Sequence, residues 1–274
     1  MHFSRNINKY PINLCQPDET KSCGACCGLY NWEDHSRETL ELLLWKRTEL
    51  FFSLGEHPDL EKYRSLSEEL SPGPKLCETI YNCEFLGFVD REQKQVGCLL
   101  HPSLHNGVDF RTCSFYGAKL CEEHFCPSFN HLTTVEQEAV IISLNDWYLY
   151  GLVITDIDFV KEYFKHVQNR LGDSIRIERL KNAEVKRALR EFFGLKEYWK
   201  YLSKESRFGK YYFSQAEYQI SRVEYEKKWG MKPSRFDKIF VSLSSAFNTE
   251  ADVLEAEAII EEKIREFIEA YLLA

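Results

Sequence analysis

At 274 residues the chain can bury a full hydrophobic core, so its ten cysteines are not needed as covalent staples. A net charge of −8 with no lysine or arginine run argues against a nucleic-acid partner, which takes a basic stripe along the phosphates. No signal peptide opens the sequence, and no stretch approaches the roughly 18 apolar residues of a membrane span, so a cytoplasmic protein with reduced thiols is expected, without membrane association.

In chain order, residues 1–32 read as irregular, broken by Pro11, Pro17, Gly24 and Gly28. A helix follows, capped by Ser36, with Glu38 in its first turn and Leu40, Leu43, Leu44 and Phe51 on one face, stopping before Gly55. Its expected role is to shield the cysteine loops from water. A shorter helix spans about Pro58 to Glu69 and ends at Ser71-Pro72-Gly73-Pro74. Between Leu76 and His131 the spaced glycines predict loops and small strands. Phe85–Val89 and Val96–Leu100 form a hairpin; a turn centred near Asp90 and Arg91 would set Cys83 opposite Cys98 at its open base.

After Thr133 the chain reads as helix. Capping-box patterns begin at Thr133, Thr155, Ser234 and Thr249, and Gly151, Gly172 and Gly194 read as stops. The stretch from Glu250 to Leu273 is amphipathic, with Val253, Ala256, Ile260, Ile264, Phe267, Ile268 and Tyr271 along one side. Tyr211 to Tyr225 predicts a short strand or an irregular turn. The aromatic set Trp147, Tyr148, Tyr150, Phe192, Phe193, Tyr198, Trp199 and Tyr201 reads as core. The expected fold class is α+β, mostly α: a loop-rich cysteine module with a small β-hairpin over residues 1–131, packed as one unit on a helical region over residues 132–274.

All the cysteines, seven of eight histidines and seven of eight prolines lie before residue 132. Residues 1–131 carry 13 basic and 19 acidic side chains, residues 132–274 carry 22 and 24, so most of the negative charge accompanies the thiols. Reduced, clustered thiols point to a soft metal. The spacing Cys23-x2-Cys26-Cys27, followed by Cys83, Cys98, Cys113, Cys121 and Cys126, contains an adjacent pair that suits two ions or a polynuclear cluster better than one tetrahedral zinc. Cys126-Pro127 is similar to the ending of cluster-binding runs.

Four blocks, Cys23-Gly24-Ala25-Cys26-Cys27, Cys83-Glu84-Phe85-Leu86, Gly97-Cys98-Leu99-Leu100-His101-Pro102 and Cys121 to Cys126, resemble the YkgJ-type cysteine-cluster proteins, described as zinc- or iron-chelating domains. The resemblance covers about residues 15–130 and implies Cys23, Cys26, Cys27, Cys83, Cys98, Cys121 and Cys126 as metal ligands. The connection from Cys98 to Cys121 is longer than the family's usual pattern. Cys113 within it is either an accessory ligand or a buried thiol, and His101 and His124 are either ligands or hydrogen-bonded structural groups. Cys15 and Cys77 read as plain thiols, so Cys15→Ser is expected to do little.

Three functions follow. The first is an iron–sulfur cluster, [4Fe–4S] among the options, or a zinc centre with a redox or catalytic role. The second is structural Zn2+ under a protein-interaction scaffold. The third comes from the resemblance alone: flagellin lysine methylases carry a similar cysteine module, which implies a protein-modifying enzyme. No glycine-rich strand-to-helix loop, G-x-S-x-G elbow or H-E-x-x-H helix accompanies it. The sequence assigns no catalytic residue and names no protein partner or substrate.

Overall fold

The computed structural model describes residues 13–55, 58–203 and 223–274. The fold is α+β and mostly helical, with one two-stranded antiparallel sheet. The Tyr211–Tyr225 expectation falls, up to residue 222, outside the described residues; Tyr225 itself opens a helix.

Helix α1 (Arg37–Ser53) buries Leu40, Leu43, Leu44 and Phe51 as its periodicity predicts, together with Arg47. Ser36 sits at its N-cap, but its side chain makes no capping bond. Asp34 instead accepts from the Ser36 N–H and the Thr39 hydroxyl, at 3.1 and 2.6 Å. Helix α2 (Leu60–Glu68) is capped by Asp59, whose carboxylate takes the N–H groups of Glu61 and Lys62.

Strands β1 (Leu86–Phe88) and β2 (Val96–Cys98) form the expected hairpin in a different register: Cys98 pairs with Leu86, not Cys83. The turn lies further along the chain, where the Asp90 carboxylate accepts from the N–H groups of Lys94 and Gln95 and Gln93 takes a positive φ of 58°. Helix α1 covers the hairpin, the Phe88 N–H donating to the Thr48 hydroxyl at 2.7 Å. Short helices α3 (Gly117–Glu123) and α4 (Pro127–His131) close the loop-rich part.

The helical part comprises α5 (Thr134–Ser143), α6 (Trp147–Ile154), α7 (Ile157–Leu171), α8 (Ile177–Leu180), α9 (Ala183–Phe193), α10 (Leu195–Tyr198), α11 (Tyr225–Trp229), α12 (Asp237–Ser242) and α13 (Glu250–Leu273). Thr133 and Thr249 make complete capping boxes with Glu136 and Asp252. The other two patterns do not. Asp156 caps α7 in place of Thr155, and α12 starts at Asp237, while the Ser234 hydroxyl accepts the Phe236 N–H. The longer, charged Asp156 side chain reaches the Phe159 N–H and also the Lys196 ammonium, which a threonine could not pair with.

Gly172 ends α7 with a left-handed φ of 65°, and Gly194 ends α9. Gly151 is not a stop. It lies inside α6, where a Cβ would collide with the Tyr30 hydroxyl. That hydroxyl donates to the Tyr148 carbonyl at 3.0 Å, so the glycine admits the N-terminal loop onto the helix. Tyr198 also departs from its expected core position, being 77% exposed; the other seven aromatics of the set are buried.

The largest core gathers α5, α6, α7, α9, α12 and α13, with Leu14 and Cys126 among its buried members. A second joins Leu29, Trp32, Leu40, Leu43, Leu44, Leu86, Phe88 and Val96 to Trp147 and Tyr148. Arg37 bridges the same regions, reaching Glu197 at 2.7 Å and Asp146 at 2.9 Å. Apolar surface from either side of residue 131 is therefore buried in common. No helix among the described residues is long and apolar enough to cross a membrane.

Candidate metal centre

Cys23, Cys26 and Cys27 lie on a tight loop. Ala25–Cys27 is a 3₁₀ turn ended by Gly28, whose φ of 82° and close approach to the backbone of Tyr81 and Asn82 leave no room for a side chain. Asn31 sews this loop to residues 77–82. Its amide donates to the carbonyls of Cys77 and Ile80 and to Asn82 Oδ1, and its own oxygen accepts the Cys77 N–H. The Cys83 N–H donates to the Cys27 carbonyl at 2.9 Å and that of Cys23 to the Cys15 carbonyl at 2.8 Å. Ser22 Oγ accepts the Val96 N–H at 2.5 Å, tying the loop to β2.

These bonds tie the segments that carry Cys23, Cys26, Cys27 and Cys83 to one another. Cys23 and Cys26 are half-buried against the helical core, which contains buried Cys126. Cys27, also half-buried, packs with Cys83 and Cys98 on a cluster of Phe51, Tyr63, Phe85, Leu99 and Leu100. Cys121 is exposed on α3, 3.6 Å from Ser114 Oγ.

Cys113 is exposed, its sulfur beside the Thr112 hydroxyl, so the buried-thiol alternative is wrong for it. Cys77 faces the Thr79 hydroxyl at 3.2 Å. His101 turns to Ser103 at 2.7 Å, and His124 is exposed at the end of α3. Three site features carried no local sequence signal: Cys15, Asn31 and Arg47. Each owes its place to contacts with distant segments.

All ten cysteines are free thiols. Burial raises the pKa values of Cys23, Cys26, Cys27 and Cys83 strongly, and repulsion among neighbouring sulfurs adds to it. Cys98 is raised to about 11, again chiefly by burial. Cys15 is exposed by area, yet the atoms packed around its sulfur, and then Cys126, raise it to about 11 as well. Opposing these effects, backbone N–H groups favour the thiolate at four separated positions: Ala25 at Cys23, Phe85 at Cys83, Leu100 at Cys98, and Ser128 and Phe129 at Cys126.

Arg47 adds a buried positive charge. It is 5% exposed, its Nη1 donates to the Cys83 carbonyl at 3.0 Å, and its Nε has no partner. Soft donors and a nearby cation suit a negatively charged thiolate–metal centre. Among the described residues, however, no three Cys, His, Asp or Glu side chains are arrayed to grip an ion. The thiols are neighbours rather than a closed coordination sphere, and binding a metal would require them to turn inward.

These features define a mostly helical α+β protein whose ten cysteines are free thiols carried by its loop-rich part. No family model, curated protein or solved structure matches the chain significantly.

Proposed function

We propose that this is a metal-binding protein of the cytoplasm that holds an iron–sulfur cluster or zinc through Cys23, Cys26, Cys27, Cys83, Cys98, Cys121 and Cys126. The observation that carries this reading is the packing of six of these cysteines, drawn from segments far apart in sequence, on two apolar clusters: Cys23, Cys26 and Cys126 on one, Cys27, Cys83 and Cys98 on the other. The seven-cysteine resemblance to YkgJ-type proteins supports the same ligands. Bound zinc would supply folding energy to the loops, and a cluster would supply one-electron chemistry.

The test is metal and acid-labile sulfide analysis of protein purified without oxygen, alongside its visible spectrum. Near-equal iron and sulfide identifies a cluster; colourless protein with zinc identifies structural ions. Cys26→Ser and Cys98→Ser should lose metal while Cys77→Ser retains it. Full retention in the first two would remove these residues from the ligand set.

A further inference from the structure

Helix α1 is apolar on both sides. Leu40, Leu43, Leu44 and Phe51 point into the protein, yet Leu42, Trp45 and Phe52 are 50%, 42% and 50% exposed on the other side. These three lie within about 80° of one another around the helix axis and extend for roughly 15 Å along it. A surface helix ordinarily turns polar side chains outward, and one that is apolar all round is covered.

The outer stripe is also acidic. Glu38 and Glu49 lie along it and Glu41 at its edge, all three exposed, against a single exposed Lys46. None of these four makes an ion pair with another described residue, so the carboxylates are open to a cation from outside. A second copy of the chain would set this acidic face against its like, which opposes association. The area points the same way. Three half-exposed side chains of about 200 Å² each present roughly 300 Å², well short of the ~800 Å² per partner of a standard interface. One amphipathic helix laid along α1 matches that size, and lysines or arginines flanking its apolar stripe would meet the glutamates.

We propose that the outer face of α1 binds a basic amphipathic helix of another protein, with Leu42, Trp45 and Phe52 as apolar anchors and Glu38, Glu41 and Glu49 pairing with its basic side chains. Trp45, the largest of the three and central in the stripe, is the main anchor. The site lies on the solvent side of the helix that covers the hairpin, and it does not depend on bound metal.

A fluorescein-labelled synthetic peptide of about 14 residues, or ~four turns, with leucines at helical spacing and lysines elsewhere, tests this by anisotropy against the full-length protein. It should bind one per chain and more weakly as salt rises, and the same peptide with glutamate in place of lysine should not bind. Trp45→Ser combined with Phe52→Ser should weaken binding by about tenfold or more, and Glu41→Lys combined with Glu49→Lys by about tenfold. Glu262→Lys combined with Glu269→Lys, the same charge change at exposed positions of α13, should leave it unchanged. All six substituted side chains are exposed, so circular dichroism should show the helices intact.

Failure of the lysine peptide to bind overturns the proposal. So does binding that survives the Trp45 and Phe52 substitutions, or that the α13 variant weakens equally. A chain that sediments as a dimer and becomes monomeric on Trp45→Ser makes a second copy the occupant and overturns it as well. Metal content is measured separately and is untouched by any of these outcomes.

Discussion

The guanidinium of Arg47 donates to the main-chain carbonyl of Cys83 at 3.0 Å from within the protein, and its Nε is left without a partner. Without a metal, a buried cation so placed is a destabilising element; beside a negatively charged thiolate centre it becomes a counter-charge. Arg47→Met should therefore have opposite effects in the two states. Metal affinity should fall by about tenfold, or ~1.4 kcal/mol, while the metal-free protein should change little or gain stability. Paired metal titrations and urea melts check both halves, and equal losses in the two states would remove the counter-charge role.

Cys98 links pH to stability. Burial, with repulsion from Cys121 added, raises its thiol from an ordinary 9.0 to about 11. Between those values the unfolded chain has released a proton that the folded chain keeps, so alkali favours unfolding. Stability of the metal-free protein should be full below pH 9 and decline as pH rises through about 11. Urea midpoints measured across that range test this, and Cys98→Val should flatten the decline. The metal-loaded protein should show the reverse dependence at low pH, where protons compete with metal for the thiolates.

Asp156 and Lys196 form a nearly buried pair at 2.6 Å, in which Asp156 also caps α7 and accepts from the Ser242 hydroxyl. Asp156→Ala would leave the ammonium with the Ser242 carbonyl and the Phe159 ring but no carboxylate, and would remove the cap. A loss of about 3–5 kcal/mol is expected from breaking such a pair, measurable by denaturant melts. Metal content should stay unchanged. A loss below about 1 kcal/mol, the scale of an exposed pair, would contradict this assignment.

Gly151→Ala should be costly although alanine favours helix, because its Cβ would strike the Tyr30 hydroxyl. Overpacking of this kind costs about 1–3 kcal/mol. Adding Tyr30→Phe should recover part of it by removing the oxygen. A melt in which Gly151→Ala alone is neutral or stabilising would show that the loop moves aside freely.

The helices were largely legible because a period of 3.6 and a cap are local signals: α13 begins and ends where its pattern does, and Thr133 and Thr249 cap as written. Thr155 and Ser234 misled for a physical reason. Several side chains near a helix start compete for the same N–H groups, and Asp156 wins with help from Lys196, a distant residue. The hairpin was legible but its register was not, since the Asp90 turn chemistry moved the pairing along the strand. At the site, Cys98 pairs with Leu86 rather than facing Cys83, and the two cysteines share only the apolar cluster around Phe85. The places of Cys15, Asn31 and Arg47 depend on long-range contacts that no spacing encodes.

The joint burial of Trp147 and Tyr148 with Leu40, Leu43 and Phe88 bears on how the gene can be cut. Expressing residues 132–274 alone would strip the cover from both aromatic rings and leave the Tyr150 hydroxyl without the Leu14 carbonyl. The fragment should be sticky and poorly soluble, and tags or reporters are better attached after α13 than inserted near residue 131.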